Sequence, residues 1–97
     1  MVDYELNELR REFLDEARGK VDEMQSAIEA GKSREMLERL AYLAHQLKGS
    51  GGSYGYQRIS TDAAELEKAV ESGDGADLTR YVSSLRGEIE KAAAELG

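Results

Sequence analysis

The chain has 97 residues, no cysteine, no proline and a formal net charge of −7 from 20 acidic and 13 basic residues. This length suits one domain with a modest core. The absence of cysteine excludes disulfides and thiolate metal sites, and the negative charge disfavours nucleic acid as a partner. No apolar stretch approaches the roughly 20 residues that cross a bilayer, and the N-terminus lacks the features of a signal peptide. We therefore expect one domain, residues 1–97, in the reducing cytoplasm, without a membrane or nucleic-acid partner.

The first predicted element is a long amphipathic helix. Its apolar residues recur at spacings of three and four, which places them on one face. Gly19 lies inside this pattern, and we expect the helix to bend or split there. Gly31 offers a left-handed C-terminal cap, and Ser33 can cap the next helix. The apolar face consists of Leu6, Leu9, Phe13, Ala17, Val21, Met24 and Ile28.

Three further apolar stripes with the same spacing follow. The second is Met36, Leu40, Leu43 and Leu47, flanked by Leu37 and Ala44; the third is Ile59, Ala63, Leu66 and Val70; the fourth is Leu78, Val82, Leu85, Ile89, Ala92 and Leu96. Ser72 and Gly73 end the third helix, and Asp74, with Asp77 three residues on, is expected to cap the fourth. The pattern predicts an all-α fold, an antiparallel up-down-up-down four-helix bundle.

A cluster of glycines interrupts this regular pattern. Gly49, Gly51, Gly52 and Gly55 fall within seven positions, next to the only histidine. A glycine inside a helix costs roughly 1 kcal/mol relative to alanine, so the cluster needs a reason. Either the second helix ends here, or a neighbouring group must approach the backbone closely.

The histidine, His45, is predicted to face solvent. At about 100° per residue it lies roughly 150° from the centre of the second apolar stripe. Its neighbours one turn away, Ala41 and Gly49, are both small, so the ring should stand clear of its own helix. Lys48, three residues on, can swing its ammonium group toward whatever the ring carries.

Charge is distributed unevenly along the chain. The segment 32–61 contains five basic and two acidic residues, a balance of +3, whereas the remaining residues sum to −10. His45 therefore lies in the one basic stretch of an acidic protein. A positive field would stabilise an added phosphoryl group and attract an acidic partner.

Several other chemistries fit poorly. One histidine without cysteine makes no conventional zinc site. The glycine run lacks the spacing of a phosphate-binding loop and follows a helix instead of a strand. Ser50 and Ser53 lie near His45, but a small bundle has little room for the pocket and oxyanion donors of a hydrolase. An exposed imidazole remains, which is a competent nucleophile when one nitrogen keeps its lone pair.

The segment from His45 to Gly55, HQLKGSGGSYG, resembles the signature of histidine-containing phosphotransfer (HPt) domains. The similarity extends to Phe13 and Leu14 and to an A-x-x-L-E-x-A pattern made by Ala63, Leu66, Glu67 and Ala69. It implies a four-helix bundle that takes a phosphoryl group from a receiver-domain aspartate or a kinase and passes it to a receiver aspartate. By this resemblance His45 is the phosphoacceptor through Nε2, Lys48 stabilises the phosphate, and Gly49 keeps the ring accessible.

The resemblance also implies partners and cofactors. The partners would be a response-regulator receiver domain, a histidine kinase or both, and the receiver would supply the Mg²⁺. The chain would need no cofactor or metal of its own, would act as a monomer, and would have no autonomous kinase or phosphatase activity.

Some positions keep two interpretations. Chemotaxis-type relatives place a carboxylate against the other ring nitrogen, and Glu67 lies at that separation; it either orients the imidazole or is an ordinary solvated glutamate. Ala64 departs from those relatives, which can carry a second polar group there. Tyr54 and Tyr56 are expected to pack under the turn between helices two and three, whereas Tyr42 suits either plain surface or docking.

Two other classes of protein remain as alternatives. The phosphoacceptor helix pair of a sensor kinase typically has an acidic residue after its histidine and a nearby proline, whereas this chain has Gln46 and no proline. A structural helical adaptor would make the arrangement of His45, Lys48 and Gly49 accidental.

Overall fold

The computed structural model describes residues 2–31, 33–73 and 77–97 and contains four helices. They are α1 (Val2–Ala30), α2 (Arg34–Ser53), α3 (Gln57–Ser72) and α4 (Leu78–Leu96). The described segments contain no strand, so the predicted all-α class is confirmed. None of the described helices combines the length and apolarity needed to cross a membrane.

Consecutive helices run antiparallel, as contacts between them show. Between α1 and α2, Phe13 stacks on Tyr54, and Glu23 pairs with Arg39. Glu23 follows Phe13 in the chain, whereas Arg39 precedes Tyr54, so the two helices run in opposite directions. The α1–α4 contacts show the same reversal, since Arg11 bonds to the Gly97 carbonyl, Arg18 to Glu90 and Arg86 to Asp22. Between α2 and α3, Gly51 faces Ser60 and His45 faces Glu67. Each helix therefore packs beside its neighbours in the chain, and α4 closes the bundle against α1.

The buried core follows the predicted stripes. Every member of the second and third stripes is buried, and burying one such leucine or isoleucine stabilises the fold by about 1.5–3 kcal/mol. The members of the fourth stripe are also buried, except Leu96, which is half-buried. No polar or charged side chain is buried among the described residues. The buried set is Phe13, Leu14, Ala17, Val21, Met24, Met36, Leu40, Leu43, Ala44, Leu47, Ile59, Ala63, Leu66, Val70, Leu78, Val82, Leu85, Ile89 and Ala92.

Helix α1 departs from its prediction in two respects. Of the bend or split expected at Gly19, the split is wrong, because α1 is one continuous helix. Glycine there costs roughly 1 kcal/mol, and burial of the neighbouring Ala17 and Val21 side chains in the core outweighs that cost. Leu9 is 48% exposed, although it belongs to the predicted apolar face. Because Arg11 already lies level with the last residue of the chain, Leu9 extends beyond the packed part of the bundle.

The helix boundaries are formed mainly by the predicted residues. Gly31 has a φ of +118°, and the Ser33 side chain accepts a hydrogen bond of 3.0 Å from the Met36 amide, as expected. Asp74 lies outside the described residues. The N-cap of α4 is Asp77, whose side chain accepts from the Arg80 amide at 3.3 Å, so Asp77 occupies the cap itself and not the third helical position.

Both interpretations of the glycine cluster hold, at different positions. Helix α2 continues through Gly49, Gly51 and Gly52 and ends at Ser53, inside the cluster, and Gly55, with a φ of +85°, makes the turn that follows. Gly51 is buried, and a Cβ there would lie 3.1 Å from the Ser60 amide nitrogen and 3.3 Å from the Ile59 side chain. The second interpretation therefore holds for Gly51: its bare backbone lets the start of α3 approach closely. The Ser60 hydroxyl donates to the Lys48 carbonyl at 2.8 Å and joins the two helices at the same level.

Candidate functional site

His45 projects from the middle of α2 into solvent. Its side chain is 67% exposed, whereas Leu43, Ala44 and Leu47 on the opposite face of the helix are buried. The predicted outward orientation is therefore confirmed. The reason is local, because helical geometry turns position 45 away from the stripe that packs on the core.

One carboxylate joins the histidine to the lysine that follows it. Glu67 Oε2 lies 3.1 Å from His45 Nδ1, and Glu67 Oε1 lies 3.2 Å from Lys48 Nζ. The Glu67 side chain is only 16% exposed, so it is not the ordinary solvated glutamate of the second interpretation. Ala64, one turn earlier on α3, contributes no polar group to this arrangement.

The surroundings of Glu67 favour its ionised form. Burial is the largest single influence and by itself raises the pKa of Glu67, but the hydrogen bond and charge of Lys48, reinforced by those of His45, outweigh it together and lower the pKa. An ionised carboxylate can only accept hydrogen bonds, so the geometry assigns the proton of a neutral His45 ring to Nδ1. Nε2 then keeps its lone pair.

Gly49 leaves the surface beside the ring open. It is exposed inside α2, and a Cβ built on it would meet no atom within 4 Å outside its own helix backbone. The packing of the bundle therefore leaves room for a side chain at this position, in contrast to the close contacts at Gly51. Ala41, one turn before His45, is half-buried and small.

A shallow, wide-open groove of about 500 Å³ lies along the α1 side of His45. Six residues of the α2 segment and its turn line it, together with Lys20 from α1. Sequence reasoning missed Lys20, because it precedes His45 by 25 positions and lies in the acidic first helix. Only the packing of α1 on α2 brings it to this groove. The lining residues are Lys20, His45, Gln46, Gly49, Ser50, Ser53 and Tyr54.

The aromatic residues behave as expected. Tyr54 and Tyr56 both stack on Phe13; their ring centroids lie 5.0 Å and 5.9 Å, respectively, from that of Phe13. These contacts pack the turn between α2 and α3 onto α1. Tyr42 is 52% exposed, and its hydroxyl accepts a hydrogen bond of 2.9 Å from Gln46.

The basic stretch is less positive in the structure than along the sequence. Arg39 pairs with Glu23 of α1, and Lys48 pairs with Glu67 of α3. Acidic residues from outside the stretch therefore neutralise two of its cations. A charge count along the chain cannot include these partners, because they come from other helices.

Comparison with known proteins identifies the domain type. A family model described as Hpt domain matches residues 8–95, which is nearly the whole chain. Searches of curated proteins and of solved structures found no match.

Proposed function

Because the chain belongs to the Hpt domain family, and so has a histidine phosphotransfer role in two-component phosphorelays, we propose that His45 is its phosphoacceptor. His45 would receive the group from a receiver-domain aspartate or a kinase and pass it to a receiver aspartate. The observation that supports this most is the exposed ring of the chain's only histidine, with Nδ1 against Glu67.

The transfer step follows from this geometry. The Nε2 lone pair attacks the phosphorus of an aspartyl phosphate, the bond from phosphorus to the aspartate oxygen breaks, and the aspartate leaves as a carboxylate. The ring keeps its Nδ1 proton and becomes cationic, and the Glu67 carboxylate stabilises that charge. Transfer to the next aspartate is the reverse reaction. The bundle contributes mainly by positioning an exposed nucleophile in line with the phosphoryl group.

Lys48 and Gly49 have different roles in this proposal. The Lys48 side chain is 42% exposed and is held by Glu67 in the unphosphorylated protein. Its flexible stem would let the ammonium group turn from Glu67 to a phosphoryl oxygen once Nε2 carries the group. Gly49 leaves room for the partner's active site to close over the ring.

We propose that the receiver domain supplies the Mg²⁺ and that this chain, a single domain over residues 1–97, acts in the cytoplasm as a monomer without a cofactor. It would transfer phosphoryl groups without kinase or phosphatase activity of its own. Its partners would be receiver domains, histidine kinases or both, and the contact would be small and transient.

Incubation with receiver domains that carry a labelled aspartyl phosphate tests the proposal. We expect one acid-labile phosphate per chain from at least one receiver in a panel from the source organism, and none in His45→Gln. A helical adaptor would acquire no label from any receiver or kinase. Label that persists in His45→Gln would assign the phosphate to another residue and contradict the proposal.

A further inference from the structure

The two flanks of His45 are chemically different, and this inference depends on the proposed function. On the α3 flank, Glu67 holds both Nδ1 of the ring and the ammonium group of Lys48. On the α1 flank, the groove contains no residue of α3. Because the two nitrogens of an imidazole point in divergent directions, Nε2 is directed away from Glu67.

Among the described residues that line this groove, Lys20 is the only lysine, arginine or carboxylate. It is half-buried, and lysines at such positions usually pack the stem on the surface and keep the ammonium group in water. Among the side chains that the structure describes, in residues 5–31, 33–73 and 77–97, Lys20 forms no ion pair. Lys48, by contrast, already has a carboxylate partner. The cation without an ion-pair partner therefore lies on the flank of the ring away from Glu67.

The groove also offers neutral hydrogen-bond donors. Ser50 and Ser53 contribute hydroxyl groups, and Gln46 contributes an amide whose nitrogen also donates to Tyr42. A phosphoryl group carries close to two negative charges and three acceptor oxygens, and the chain as a whole repels it with a net charge of −7. A lysine beside the ring lowers that repulsion at the position that the phosphoryl group reaches.

We propose that Lys20 is a second phosphate-binding residue of this domain, which contacts the oxygens of the phosphoryl group as it moves to Nε2 of His45. Lys48 and Lys20 would then hold the group from opposite flanks. Lys20 would act from the start of transfer, whereas Lys48 must first loosen its contact with Glu67.

The test compares Lys20→Ala, Lys20→Arg and Lys91→Ala with the wild-type protein. Lys91→Ala is the matched control, because it removes the same charge from α4, the helix diagonal to α2. Each variant is phosphorylated by a receiver that labels the wild type and, separately, by phosphoramidate. In the second reaction the P–N bond of phosphoramidate breaks, a bond from phosphorus to Nε2 forms and ammonia leaves, with no protein partner present.

We expect Lys20→Ala to slow labelling about fivefold to tenfold with both donors, as for the loss of one charge-assisted contact. Lys20→Arg should keep most of the rate, and Lys91→Ala should match the wild type. Circular dichroism should show the same helicity in all variants, because Lys20 is partly exposed.

Three outcomes would overturn the role of Lys20 and leave His45 as the acceptor. The first is an equal labelling rate for Lys20→Ala and Lys91→Ala. The second is a loss of rate in Lys20→Arg as large as that in Lys20→Ala. The third is a loss of rate confined to the receiver reaction, which would place Lys20 against the receiver protein. A wild-type chain that no receiver, kinase or phosphoramidate labels would instead overturn the proposed function, and the role of Lys20 with it.

Discussion

At the scale of single residues, the glycines of one cluster have opposite reasons to be glycine. Gly51 is favoured by the packing of the fold, since α3 lies against its backbone and would have to shift to admit a Cβ. Gly49, two positions earlier, faces open space. The packing of the bundle does not need glycine at position 49, whereas the approach of the proposed partner does. Replacing Gly49 with a larger residue therefore tests its role in transfer.

We expect Gly49→Leu to separate stability from transfer. Leucine should increase helix stability by up to about 0.8 kcal/mol, because glycine is the poorer helix former. Transfer to His45 should fall by about 10- to 100-fold, because the partner's reacting atoms cannot approach in line. Thermal unfolding and labelling rates on the same samples measure the two effects.

Gly87→Leu is the matched control for that change. Gly87 is also an exposed glycine inside a helix, and a Cβ built on it would meet no atom within 4 Å beyond its chain neighbours and its own helix backbone, but it lies on α4. It should show the gain in stability and an unchanged transfer rate. If Gly49→Leu transfers as fast as Gly87→Leu, steric access is not the reason for glycine at position 49.

At the scale of elements, the turn between α2 and α3 sets the position of Glu67 relative to His45. The turn closes by a Schellman motif, in which the Tyr56 amide donates to the Gly51 carbonyl at 2.8 Å and the Gly55 amide to the Gly52 carbonyl at 3.1 Å. Gly55 has a φ of +85°, a left-handed conformation that other L-residues adopt at a cost.

Gly55→Ala should therefore destabilise the protein by about 1–2 kcal/mol. Gly52→Ala, in the last turn of α2, is the control; its Cβ would meet only the Ser60 hydroxyl, at 3.8 Å, so it should be neutral or slightly stabilising. Urea unfolding gives both free energies. Equal stability of Gly55→Ala and the wild type would show that the turn tolerates a different closure.

At the scale of the whole molecule, three carboxylates with lowered pKa values each join two helices. Glu23 meets Arg39 between α1 and α2, Glu90 meets Arg18 between α1 and α4, and Glu67 meets Lys48 between α2 and α3. The hydrogen bond from the arginine is the main cause of the lowered pKa for Glu23 and Glu90. For Glu67, Lys48 and His45 overcome the opposing effect of burial.

This arrangement predicts a loss of stability in acid. A carboxyl group with a lowered pKa in the folded state stabilises that state above its ordinary value of about 4.5, and the contribution is lost as pH falls below that value and through the folded-state pKa. At pH 7, Glu67→Gln should lower the melting temperature by about 2–4 °C relative to Glu65→Gln, an exposed position on the same helix. The difference between the two variants should shrink as pH falls below 4.5 and through the lowered pKa of Glu67. A difference that does not depend on pH would show that Glu67 acts through packing and not through its charge.

Much of the fold and part of the site could be predicted from the sequence. Apolar periodicity located four helices and nearly all of the core, and the angular position of His45 on its own helix showed that the ring faces solvent. Both are properties of a single helix, so local geometry suffices. The split at Gly19 was wrong because packing of the surrounding face outweighs the local cost of glycine.

The amino-acid sequence by itself determined that four amphipathic helices form, which face of each helix is mainly apolar, and that the single histidine lies opposite that face. Only the tertiary structure decided which groups surround the ring: Glu67 between His45 and Lys48, Lys20 across the groove, and Glu23 against Arg39. The physical reason is that periodicity describes rotation about one helix axis. The register and rotation between two helices come from the close packing of their side chains, as at Gly51 against Ser60, and that packing is a property of the assembled bundle.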